Sequence, residues 1–161
     1  MMLNINVICI GKLKETYLRD ASAEYQKRLS SFCRLEITEL TPIKLPESPS
    51  QAQIEAALMQ EGNLITAKIP SNAKVYALCI EGKQFSSEEL SAKLITETSH
   101  GVSNIALVIG GSHGLSVEVK NRADLLLSMS KMTFPHQLAR IMLLEQLYRA
   151  FMISSGGKYH K

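Results

Sequence analysis

A chain of 161 residues, 45% of them hydrophobic and 20% charged, has the size and composition of one domain with an ordinary core, which excludes a disordered, collagen-like or low-complexity protein. Its net charge of +3 suits a polyanionic partner without requiring one. Apolar runs such as Ile141-Met142-Leu143-Leu144 fall far short of the ~20 residues that span a bilayer, and the alternating start Leu3-Asn4-Ile5-Asn6-Val7 carries no basic leader, so no membrane partner and a cytoplasmic location are expected.

Leu3 to Ile10 alternates as a strand that stops at Gly11. Leu18, Ala21, Tyr25 and Leu29 recur at helical spacing, which predicts a helix over Leu13 to Leu29. Arg34 to Leu40 alternates as a second strand. The stretch Thr41 to Ser50 holds Pro42, Pro46 and Pro49 and reads as a loop, too short to separate two domains. Ser50 can cap a helix running to about Ala67. Val75 to Ile80 is a nearly continuous apolar run, as in a strand covered on both faces. Ser86-Ser87-Glu88-Glu89 reads as the capped start of a helix ending near His100-Gly101. Ile105 to Ile109 is another covered strand, Ser116 can cap a short helix, and Leu125 to Met129 is a fifth strand. Thr133-Phe134-Pro135 opens the last helix, with the proline in its first turn, and the helix continues to about Ser154. Strands alternating with helices predict an α/β fold: a single domain with a mostly parallel sheet flanked by helices.

Four segments could carry chemistry. Ile109-Gly110-Gly111-Ser112-His113-Gly114-Leu115-Ser116 begins where a buried strand ends, the place where open α/β sheets bind ligands. Its glycines do not match GxGxxG, so the residues alone support either a ligand loop or a tight turn. Met129-Ser130-Lys131-Met132-Thr133-Phe134-Pro135-His136 could wrap an adenine with apolar side chains, or simply place its methionines and phenylalanine in the core. The terminal helix carries apolar residues in nearly every angular sector, from Leu138 to Ile153, so a second subunit is expected to cover it. Within it His136/Arg140 and Glu145/Arg149 are spaced i, i+4, a spacing that structural pairs also adopt. In the tail, Gly156-Gly157 reads as a hinge before Lys158-Tyr159-His160-Lys161, groups able to contact phosphate and stack on a base, or else a disordered end.

Other chemistries lack their marks. Cys9, Cys33 and Cys79 are odd in number with no CxxC spacing and read as free, buried thiols of a reducing compartment. His100, His113, His136 and His160 show no HExxH spacing, so no metal is expected. Neither GxSxG nor GxxxxGK[ST] occurs.

Taken in order, the strand end Ala77-Leu78-Cys79-Ile80-Glu81-Gly82-Lys83, IGGSHGLS, the TFPH helix entry with LLEQLYRAFMI, and the terminal Tyr-His-Lys resemble the ribosomal RNA large subunit methyltransferase H family of the SPOUT superfamily over essentially residues 1–161. The resemblance implies a single SPOUT-type domain with a C-terminal trefoil knot, a homodimer, and S-adenosyl-L-methionine as cofactor. It implies a pseudouridine of large-subunit ribosomal RNA as acceptor, methylated at N3. Carried over by position, the cofactor contacts are Leu78, Gly110, Met129, Ser130, Lys131, Met132, Thr133 and Phe134. Ser112-His113 departs mildly from the pattern, and Lys131 brings a charge into the adenosine loop. A base of near-neutral pKa would accept the N3 proton, which nominates His136 or His160. Arg140 or Arg149 would hold phosphate or developing negative charge, and Tyr159 would stack. Without an added RNA-binding domain, the acceptor is expected to be presented within the ribosome. The rivals are a related methyltransferase acting on transfer RNA and a dimeric RNA-binding factor without catalysis.

Overall fold

The computed structural model describes residues 2–160, so Lys161 of the tail lies outside the described residues. Five strands form one parallel sheet in the order β2-β1-β4-β3-β5: β1 Leu3–Ile10, β2 Cys33–Leu40, β3 Lys74–Gln84, β4 Asn104–Ile109 and β5 Leu125–Ser128. Five helices cover it: α1 Thr16–Leu29, α2 Gln51–Lys68, α3 Ser87–Ser99, α4 Val117–Arg122 and α5 His136–Ser154.

The two-residue period of β1 and β4 divides the core between the two faces of the sheet. Ile5, Val7 and Cys9, with Ile105, Leu107 and Ile109, pack beneath Leu29, Leu94, Leu143, Leu144 and Leu147 of α1, α3 and α5. Ile8, Ile10, Ala106 and Val108 face the other way and meet Ile65 of α2 and Val119 of α4. Both central strands are therefore buried on two sides, as their apolar runs require.

Several details differ from the sequence reading. α1 starts at Thr16 rather than Leu13, because Arg19 Nη1 donates to the carbonyls of Leu13 and Lys14 at 3.2 and 2.6 Å and holds that segment out of the helix. Pro135 is the N-cap of α5 and not a first-turn residue; its extended ψ of 136° lets its carbonyl accept the first helical bond from Ala139 N at 2.9 Å. Gly156-Gly157 is no hinge. Gly156 has φ +74°, and the N–H groups of Gly156 and Gly157 bond back to Ile153 and Met152, the pattern that closes a helix end. Ser50 and Ser86 do cap α2 and α3, each with a reciprocal bond from residue N3.

β3 runs on to Gln84, and its ladder with β5 shifts register on the way: Leu127 of β5 pairs with both Leu78 and Lys83. The bend Cys79–Gly82 between them passes so close to β5 that a Cβ on Gly82 would lie 2.6 Å from the Leu126 carbonyl carbon.

Burial pushes the Cys9 and Cys33 thiols up to about 11, leaving them as small apolar groups. Cys79 is only half-buried, a correction to its expected place in the core. No helix among the described residues is long and apolar enough to cross a membrane.

Candidate functional site

The bend within β3 and the loops that follow β4 and β5 enclose a cavity of about 750 Å³. From β3 come Leu78, Cys79, Ile80 and Glu81; from β4, Gly110 to Leu115; from β5, Met129, Ser130, Met132, Thr133 and Phe134, followed by His136 and Ala139 at the start of α5. Of the residues nominated for cofactor binding, all but Lys131 stand in this wall. Lys131 is exposed and absent from the lining.

The β4 loop is shaped by its glycines. Gly111 and Gly114 pair across the turn, with Gly114 N donating to Gly111 O at 3.1 Å, and Gly114 has φ +81°. Gly110 is buried, and a Cβ there would sit 2.6 Å from the Gly114 carbonyl carbon. Both sequence readings of this segment hold together: the turn is tight, and its outer surface lines the cavity. In the β5 loop Ser130 organises the backbone. Its carbonyl accepts from Ser128 Oγ and its hydroxyl accepts from Met132 N, both at 3.0 Å.

Two lining groups escaped the sequence reading. Lys120 of α4 reaches Glu81 at 2.6 Å, which lowers the Glu81 carboxyl below its usual range and places opposite charges side by side in the wall. No local pattern links residues 81 and 120. The quoted strand end contained Glu81 but offered no reason to single it out.

His136 lies in the cavity wall, half-buried. Its pKa is lowered, first by burial and then by the cations of Arg140 and Lys14, which favours the neutral imidazole. Arg140 is 2% exposed; its guanidinium donates to Glu39 at 2.6 Å and to the Gly11 carbonyl at 2.9 Å. That arginine ties α5 to the ends of β1 and β2, with no free face for a phosphate.

The remaining nominees gather elsewhere. Arg149 pairs with Glu145 at 2.7 Å, as the i, i+4 spacing suggested. Tyr159 Oη donates to Glu145 at 3.0 Å, its ring stacks under the Arg149 guanidinium at 4.6 Å, and burial followed by the Glu145 carboxylate raises its phenol pKa. His160 contacts Arg149 through Nδ1 at 3.2 Å and Glu88 through Nε2 at 2.7 Å. Tyr159 and His160 are thus ordered against α3 and α5 of their own chain, and none of these three residues lines the cavity. Among the described residues no group of three or more His, Cys, Asp or Glu is arranged to hold a metal.

Comparison with known proteins gives a consistent picture. A family model described as "Predicted SPOUT methyltransferase" matches residues 3–160. A protein of Streptococcus sanguinis named ribosomal RNA large subunit methyltransferase H is 51% identical over 159 residues, 99% of this chain and 100% of its own length. One of the same name from Leuconostoc mesenteroides is 52% identical over the same shares. The solved structure of a probable methylase family protein from Haemophilus influenzae overlays all of this chain and 72% of its own with a TM-score of 0.56; at 14% identity it speaks for the fold alone.

Proposed function

Because the chain belongs to the SPOUT methyltransferase family, and within it to the ribosomal RNA large subunit methyltransferase H group, we propose that it transfers the methyl group of S-adenosyl-L-methionine to N3 of a pseudouridine in large-subunit ribosomal RNA. One observation carries the cofactor assignment: the strand-end cavity gathers Leu78, Gly110, Met129, Ser130, Met132, Thr133 and Phe134 in one wall. Its volume of about 750 Å³ falls within the range of small-molecule sites. Its chemistry also fits: Met129, Met132, Phe134 and Leu78 offer apolar surface to an adenine, and the Glu81–Lys120 pair offers both charges to a zwitterionic amino-acid end.

When bound, S-adenosyl-L-methionine supplies an electrophilic methyl, so the protein's work is to position the acceptor and handle its proton. His136 stands in the wall in a form able to accept that proton. Arg140 acts as a positioning residue through Glu39 and Gly11.

The working form in this reading is a cytoplasmic homodimer, with residues 1–161 as one SPOUT-type domain that meets its RNA in the ribosome. Exposed apolar side chains support the dimer: Met132 is 74% and Ile80 51% exposed at the cavity rim, and Leu138 is 40% exposed on α5. Light scattering at micromolar concentration should give twice the chain mass of 17.8 kDa. A monomer would refute the dimer alone. The tail, outside the cavity of its own chain, would serve RNA or the partner's cavity. Deleting residues 158–161 should leave S-adenosylmethionine affinity nearly unchanged while methylation of ribosomal substrate falls at least about tenfold, or ~1.4 kcal/mol of transition-state stabilisation. Full methylation by the truncated protein would make the tail a structural end.

Calorimetry with S-adenosylmethionine, and mass spectrometry of ribosomal RNA from cells with and without the protein, test the central reading. Absence of binding heat would leave an RNA-binding factor. Loss of a mark on transfer RNA alone would move the acceptor.

A further inference from the structure

A second cavity, of about 230 Å³, lies against the first and shares Gly111, Ser112, His113 and His136 with it. Its outer walls come from the proline loop and α2: Pro42 and Ile43 on one side, Ile54 and Leu58 on the other. These are apolar surfaces separated by a slot, with imidazoles at the boundary to the larger cavity. Glu61 also lines the slot and is 8% exposed. Its Oε2 accepts from Ile43 N at 3.1 Å, and Oε1 has no donor among the described residues. No buried side-chain oxygen among the described residues is left both unpaired and sealed from solvent, so Oε1 keeps access to open space, and the slot is the cavity that Glu61 lines.

We infer that this slot takes an unstacked nucleobase of the substrate RNA strand, next to the acceptor, that presents an N–H edge to Glu61. The inference rests on the methyltransferase reading above and extends it to substrate recognition. Sequence-specific RNA recognition works on bases splayed out of the stack, held between flat or apolar surfaces and read along their edges. An acceptor entering the larger cavity must leave its own stack, so a neighbouring base loses a stacking partner and needs another. The shared wall at His113 and His136 puts the slot where that neighbour arrives. A free carboxylate oxygen selects an edge bearing N–H donors, an exocyclic amino group of cytosine, adenine or guanine or a ring N–H of guanine or uracil, over an edge of bare carbonyl and ring-nitrogen acceptors. Met132, Phe134 and Glu81 do not line the slot, so it is separable from the cofactor contacts.

The test compares wild type with Leu58→Trp, which fills the slot from α2, and with Glu61→Gln. The glutamine preserves volume and can still accept from Ile43 N, but it turns an NH2 group toward the slot in place of the free oxygen. S-adenosylmethionine affinity by calorimetry should stay within about twofold of wild type for both. The KM for large-subunit ribosomal substrate should rise at least about fivefold for Leu58→Trp and about threefold for Glu61→Gln, with kcat little changed, the signature of lost substrate binding. If Leu58→Trp fails to fold, Glu61→Gln decides alone. Unchanged KM with an active wild type overturns the slot and leaves the methyltransferase reading intact. An inactive wild type that binds the cofactor overturns the choice of RNA, and the slot assignment with it.

Discussion

Replacing Gly110 with valine should lower S-adenosylmethionine affinity at least about a hundredfold, equivalent to ~2.8 kcal/mol of binding free energy. Any Cβ at this position would meet the turn itself, 2.6 Å from the Gly114 carbonyl carbon and 3.0 Å from Leu115 Cδ2. The Leu115 side chain could rotate aside, but the Gly114 carbonyl is backbone and cannot. The pairing of Gly111 with Gly114 must open, and the wall of the cavity moves with it. The sheet below has reason to persist, because β4 is paired with β1 and β3 through residues that the turn does not include. Circular dichroism should therefore report a folded protein while calorimetry reports no binding. Gly101→Ala supplies the contrast: Gly101 has φ +85° and nothing within 4 Å of its Cβ, at the α3–β4 turn outside the cavity. It should cost about 1 kcal/mol of stability from backbone strain and leave cofactor affinity alone. Normal affinity in a folded Gly110→Val protein would remove this turn from the site.

By sequence alone Gly110-Gly111 supports either a ligand loop or a tight turn; the atom that Gly110 approaches is a carbonyl of that turn. Legibility is a matter of range. Strands, capped helices and the glycine turn are written in neighbours two to four residues apart, so Val75–Ile80, Ser86-Ser87-Glu88-Glu89 and Gly110-Gly111 could be read directly. What completes the site is written in pairs far apart in the chain. Arg140 sits in an apolar helix and by spacing alone is as good a phosphate ligand as Arg149. Only its burial against Glu39, 101 residues away, assigns it to the scaffold. Lys120 reaches Glu81 from a separate helix. The pairing of Leu127 with both Leu78 and Lys83 leaves no periodic trace at all. The tail was read as mobile because two glycines usually loosen a chain; here one takes the left-handed conformation that ends α5, and the residues beyond fold back onto Glu145 and Glu88.

Distinguishing the two candidate bases gives the second large effect. His136→Asn should lower kcat for ribosomal substrate by about a hundredfold, the lower end of what a positioned general base contributes. Asparagine keeps a polar group of similar reach but cannot take up a proton near neutral pH. His136 is in the wall of the cofactor cavity, whereas His160 is held by Glu88 and Arg149 away from it. The pH dependence gives a second, independent signature. A base works in its neutral form, so kcat falls as pH drops through the folded pKa of the group. Burial, then Arg140, then Lys14 depress that pKa in His136 below the ordinary imidazole value. The acid limb of wild type should thus lie on the acid side of an ordinary imidazole, with full activity maintained through pH 7. The asparagine variant should lose that limb and retain only a low rate that is flat across the same interval. Cofactor affinity measured alongside separates chemistry from binding, since an intact Kd with a hundredfold lower kcat locates the loss in the transition state. If His136→Asn keeps both the rate and the limb while His160→Ala abolishes them, the proton goes to the tail, and Tyr159 and His160 must leave Glu145 and Glu88 to reach a cavity.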